Sequence, residues 1–125
     1  MRSKYRRAIL EESGRDNLRH IIYGAGAVGG TIGARLFESG HEVVLIARGR
    51  HLEAIQRDGL TFETPGGQSS LRIEAVSGPE DVTWRGDEVV YLSMKTQDTI
   101  GALERLREAA GTAVPVICAQ NGVEN

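Results

Sequence analysis

Cysteine is almost missing from this chain. Cys118 stands alone among 125 residues, so no internal disulfide can form, and a lone thiol points to the cytoplasm rather than to export. No apolar run approaches the ~18 residues that a membrane-spanning helix needs. A charge surplus is missing too: the formal net charge is -2 and the pI is near 5.9, which gives no overall pull toward nucleic acid or anionic lipid. His20, His41 and His51 lie too far apart for metal-ligand spacing, so no metal site is expected. Ser93 has no histidine placed near it by the pattern, and Trp84 reads as a packed loop residue; neither supports hydrolysis. Cys118 falls in an apolar strand, where cysteine acts as a small hydrophobe rather than a nucleophile.

What remains is the composition of one soluble globular domain, 40% hydrophobic and 26% charged, in a chain long enough to bury its own core. Glycine is the outlier: sixteen residues are nearly double the usual ~7% share, and they fall at turns and in one motif. Residues 1–19 form a basic leader, with Arg2, Lys4, Arg6, Arg7, Arg15 and Arg19 against Glu11, Glu12 and Asp16. The leader lacks the apolar core of a signal peptide. It reads as a solvated helical or frayed segment, with a basic docking arm as the alternative.

The remainder, 20–125, alternates strands with helices. Ile21–Tyr23 and Val43–Ala47 are short unbroken apolar runs of the kind buried on both faces. Between them Val28, Ile32 and Leu36 recur at helical spacing, and Ser39-Gly40 stands where a helix ends on a left-handed glycine. A second helix is expected at about 50–57, ending at Asp58-Gly59. Leu60, Phe62 and Thr64 then alternate with polar residues, as do Leu71, Ile73 and Ala75, and Pro65-Gly66 between them predicts an antiparallel hairpin. A buried strand at Val89–Leu92, a helix from about Gln97 to Ala110 carrying Ile100, Leu103 and Leu106, and a last strand in PVICAQ complete the pattern. The expected fold is α/β, a doubly wound, Rossmann-type, mostly parallel sheet with an inserted hairpin. Ligands of such sheets bind beyond the carboxyl ends of the strands, here at 24–29, 47–49, 93–96 and 120–122.

Gly24, Gly26 and Gly29, with Ala25, Ala27 and Val28 between them, fit G-x-G-x-x-G directly after a strand and at the start of a helix. Gly24 would allow the tight turn, Gly26 the approach of a pyrophosphate, and Gly29 the close packing of helix on strand. The helix N-terminus would offer free N–H groups to the anion. Gly30 and Gly33 each cost ~1 kcal/mol against alanine in a helix interior, which close packing or a ligand must offset; a glycine-rich turn with no ligand is the alternative. NAD sites place an acid at the end of the second strand, whereas this chain has Ala47-Arg48-Gly49-Arg50 there. A guanidinium can hold a 2′-phosphate through paired charge-assisted bonds, so NADP is expected, with Arg48 ahead of Arg50. Both arginines could instead be exposed loop charges.

GAGAVGG, GHEVVLIARGRHLEAIQRDGL, MKTQDT and QNGVEN, in this order and spacing over about 20–125, resemble the ketopantoate reductase (2-dehydropantoate 2-reductase) family, NADPH enzymes of pantothenate synthesis. The resemblance implies that Arg48 contacts the 2′-phosphate, that Lys95 lies near the nicotinamide ribose and substrate, and that Asn121 belongs to the same site. Without it, a Lys and an Asn at strand ends could bind a carboxylate or carbonyl, or be a helix-flanking lysine and an Asn-Gly turn. Family members continue into a helical domain that supplies the general-acid lysine, so the chain reads as truncated before that domain. The expected role is NADPH binding without turnover, with a small 2-oxo acid as the family's substrate and no nucleic-acid or membrane partner. The expected protein partner is a second copy in a homo-oligomer or a separately encoded C-terminal domain. A non-catalytic nucleotide-sensing module and a non-functional truncated product are the alternatives.

Overall fold

In a computed structural model of the protein, residues 18–119 are described. The leader up to residue 17 and the Gln120–Gly122 segment, with Asn121, lie outside them. The elements are β1 (Arg19–Tyr23), α1 (Ala27–Glu38), β2 (Glu42–Ile46), α2 (Gly49–Asp58), β3 (Leu60–Thr64), β4 (Gly67–Leu71), β5 (Glu74–Val76), β6 (Glu88–Leu92), α3 (Thr99–Ala110) and β7 (Val116–Cys118). Short 3-10 turns occupy Pro79–Asp81 and Thr96–Asp98. Arg19 is thus not part of the leader but the first residue of β1.

Five strands form one sheet in the order β5-β2-β1-β6-β7, every pair parallel. β1 and β6 are buried at all positions, as strands covered on both faces must be. Alternate side chains divide between two cores. Ile22, Val43, Leu45, Val89 and Tyr91 face α1, α2 and the hairpin, whereas Ile21, Tyr23, Val44, Ile46, Val90 and Leu92 face α3. Helices therefore cover both faces, the expected doubly wound arrangement. Gly40 ends α1 with φ +91°, also as expected.

Three details depart from the sequence reading. The hairpin pairs Leu60–Thr64 with Gly67–Leu71 only; Ala75 belongs instead to β5, paired parallel with β2. The departing chain is held to α2 on both sides of Ile73: the Arg72 guanidinium donates to the Gln56 and Arg57 carbonyls, Gln56 Nε2 donates to the Ala75 carbonyl, and Ile73 is buried in the core. Period-two alternation continues across both strands and cannot mark this change of partner. Ile100 does not join the apolar face of α3 but is 73% exposed. The buried stripe runs through Ala102 and Leu106, and two residues amount to about 200° around a helix. Cys118 is exposed rather than packed, because β7 has β6 as its one neighbour among the described strands and turns only Ile117 toward the core.

At the amino ends of the strands, Arg19 ties three of them together. It is 6% exposed; its Nη1 donates to Glu88 at 3.2 Å and to the Thr83 carbonyl at 2.7 Å. Its Nε lies 2.9 Å from Glu42 as an ion pair, without hydrogen-bond alignment. The buried Glu88 carboxylate also accepts from the Arg85 and Gly86 amides.

Candidate functional site

The carboxyl ends of β1, β2 and β6 converge where the strand order turns from β2 on one side of β1 to β6 on the other, the point at which open α/β sheets bind ligands. Tyr23 ends β1, and Gly24 follows with φ +101°, a left-handed backbone that favours glycine. The Gly24 amide donates to the Ile46 carbonyl at 3.0 Å, and the Ser93 amide to the Tyr23 carbonyl at 3.0 Å. The loop is thereby pinned to both neighbouring strands. A Cβ on Gly24 would lie 3.1 Å from the Met94 amide nitrogen.

The other two glycines of the motif act differently. A Cβ on Gly29 would overlap the Gly24 carbonyl oxygen and Ser93 Oγ, so its absence lets α1 sit against the end of β1. Around Gly26 a Cβ would meet no protein atom within 4 Å; its missing side chain leaves space open in front of the helix. Gly26 is the N-cap of α1, with no side-chain cap, so first-turn N–H groups remain for a ligand. Gly33 is explained by packing, since a Cβ would come within 3.0 Å of Leu45 Cδ2. Gly30 has only ordinary contacts. Ala25 is buried, Val28 partly buried against the first core, and Ala27 exposed.

Beside the loop is a cleft of about 560 Å³ whose walls include Tyr23, Gly24, Arg48, Met94, Gln97 and Arg105. Arg48 is the extended N-cap of α2 (φ -137°, ψ 157°) and is exposed, so its guanidinium can turn toward a ligand. Arg50 is exposed but not on this wall. Lys95, exposed just past β6, is likewise outside the wall; its carbonyl accepts from the Asp98 amide at 2.9 Å. Burial pushes the Tyr23 phenol above its ordinary pKa; Arg105 and Arg48 oppose the rise and Glu80 adds to it. Tyr23 therefore remains a neutral hydroxyl near neutral pH. A larger groove, about 770 Å³, begins at Ala25, Gly26 and Ala27 of the loop and runs between α1 and the hairpin.

Several residues of this region have roles that the sequence did not assign to them. Ser93, expected to lie in the ligand-facing 93–96 segment but to support no hydrolysis, donates its hydroxyl to the Gly24 and Tyr23 carbonyls and locks β6 to the glycine loop. His51 lies one turn after Arg48 on the same cleft, a spacing that could have flagged it. Arg105, 57 residues beyond Arg48, gave no local signal. Among the described residues no three His, Cys, Asp or Glu side chains gather as a metal site, and no helix is long and apolar enough to cross a membrane.

Comparison with known proteins places this geometry. The family model for ketopantoate reductase PanE/ApbA matches residues 20–125. A 2-dehydropantoate 2-reductase of Mesorhizobium japonicum is 35% identical over 107 residues, which are 85% of this chain and 32% of that protein. One from Pyrococcus horikoshii is 34% identical over 108 residues, covering 86% and 34%. The chain spans about a third of the length of these curated relatives. Among solved structures, a PanE/ApbA family ketopantoate reductase from Ralstonia eutropha superposes with a TM-score of 0.74 at 39% identity, over 86% of this chain and 36% of that one. A D-mandelate dehydrogenase with NADH and anilino(oxo)acetate superposes with a TM-score of 0.73 at 27% identity, over 85% and 34%. The glycine loop, the parallel sheet and these matches agree: the chain belongs to the ketopantoate reductase PanE/ApbA family.

Proposed function

We propose that this chain is the cofactor-binding part of an NADPH-dependent 2-oxo acid reductase, with ketopantoate as the substrate suggested by the names of its relatives. The observation that carries the reading is the uncapped, open N-terminus of α1 at Gly26, together with Arg48, not an acid, at the end of β2. The residues fit a dinucleotide: α1 offers N–H groups to the pyrophosphate, and Arg48 offers paired donors to a 2′-phosphate. Bound NADPH would supply a hydride for the substrate carbonyl. Lys95 and Asn121 would position the nicotinamide ribose and the substrate. Reduction of a ketone also needs a proton donor for the developing alkoxide, and in the family pattern that lysine belongs to the helical domain.

The test is a fluorescence titration of the full chain with NADPH and with NADH. A charge-assisted hydrogen bond contributes about 1.5–3 kcal/mol, so NADPH should bind at least roughly tenfold tighter, and Arg48→Ala should sharply reduce the preference. Equal affinity for the two, as an NADH-binding relative would suggest, or no change on Arg48→Ala, would overturn the NADP assignment.

A further inference from the structure

We infer that Arg105 on α3 is a second guanidinium of the nucleotide cleft, one that exchanges Glu80 for the 2′-phosphate and so shares with Arg48 the discrimination of NADPH from NADH. The inference rests on the NADP reading and deepens it.

Arg105 and Arg48 reach one cleft from separate elements, α3 and the loop after β2. Arg105 Nη2 is held by a single contact, 2.6 Å to Glu80 Oε2, and both side chains are about half exposed, 45% and 53%. Glu80 itself is not on the cleft wall. Single-contact pairs between exposed side chains contribute little net stability, so an incoming dianion can outcompete the carboxylate for the same donor. Arg48 alone compensates one of the charges on a phosphate, which is close to doubly charged near neutral pH. A second guanidinium offers more donors without a new buried charge, because Glu80 keeps Arg105 neutralised until ligand arrives. Tyr23 lies on the same wall as both guanidiniums, and the charges of Arg105, Glu80 and Arg48 all act on its phenol. The other titratable side chains on the wall, besides Tyr23, are His51 on α2 and Asp98 before α3. Asp98 repels a phosphate, which makes a second cation on that side the more useful.

The experiment compares binding of NADPH, NADH, adenosine 2′,5′-bisphosphate and 5′-AMP to the full chain and to Arg48→Ala, Arg105→Ala, Arg105→Lys and Glu80→Gln, with a thermal melt of each. Arg105→Ala should weaken the two 2′-phosphate ligands at least tenfold and NADH and 5′-AMP less than twofold. Arg105→Lys should recover part of the loss, and Glu80→Gln should tighten the 2′-phosphate ligands severalfold by releasing the guanidinium. Equal losses for all four ligands, no loss at all, or a loss in Glu80→Gln matching that in Arg105→Ala overturns the inference; the last would show that the ion pair serves only the fold. If Arg48→Ala is selective and Arg105→Ala is not, the inference fails while the NADP reading stands. If neither is selective, both fail. Should Arg105→Ala melt early, Arg105→Lys and Glu80→Gln still decide between these outcomes.

Discussion

Gly26 and Gly29 are three residues apart in one motif, yet alanine at each tests a different property. At Gly29 the added Cβ would overlap the Gly24 carbonyl oxygen and Ser93 Oγ, and both belong to the tie between β1 and β6. Overpacking of this kind costs about 1–3 kcal/mol, while alanine recovers at most ~1 kcal/mol of helix propensity. Gly29→Ala should therefore lower the melting temperature, and a melt unchanged from the parent would refute the packing role. At Gly26 the Cβ would point into open space. Gly26→Ala should fold within about 1 kcal/mol of the parent, the cost of alanine at an N-cap, but lose NADPH affinity at least tenfold; parental affinity would show that nothing approaches the loop there. The sequence alone suggested both roles, because the motif's position between strand and helix implies them. It did not reveal Ser93, whose partners are 69 and 70 residues away.

At the scale of elements, the strand–helix alternation was legible because each element repeats its own period: two for strands facing a core, 3.6 for helices. The failures occurred where a decision was made between elements. Leu71, Ile73 and Ala75 keep one alternation while the chain moves from the hairpin to the main sheet, and the contacts that hold it there, from Arg72 and Gln56 to residues 15 to 19 positions away, leave no local period. The clamp at the other end of the sheet was hidden for the same reason, since Arg19 looked like the last of a run of leader charges. Its partners, Glu42 and Glu88, begin β2 and β6. Arg19→Met keeps the stem and removes the charge, leaving Glu88 buried with two amide donors. Breaking one side of a buried pair costs 3–5 kcal/mol, and the remaining donors put this case at about 3 kcal/mol. Urea unfolding should show that loss; a change under about 1 kcal/mol would mean that the pair acts as a surface bridge.

Across the whole molecule, acid stability should depend on one buried ring. His20, fully buried in β1, sits with Nδ1 2.9 Å from the Tyr91 hydroxyl and its ring 5.2 Å from that of His41. Burial, then the nearby His41, lower its pKa from 6.5 to about 4. The unfolded chain therefore binds a proton below about pH 6.5 that the folded chain refuses until about pH 4. Stability from this source is intact above 6.5, falls through that window, and levels off below it. The loss amounts to about 3 kcal/mol. Urea midpoints at pH 7, 5.5 and 4 would measure it, and His20→Asn should flatten the slope; an identical slope in both proteins would remove His20 as the cause.

The sequence by itself determined the parallel α/β sheet, the glycine loop and the basic residue at the end of β2. Each is written in a contiguous stretch whose period or spacing carries the physics. Tertiary structure alone decided that β5 leaves the hairpin, that Ile100 faces solvent, and that Tyr23, Arg48, Ser93 and Arg105 gather around the same strand ends. Those outcomes depend on which surfaces meet after the chain has crossed the sheet, and no local pattern encodes a meeting between residues tens of positions apart.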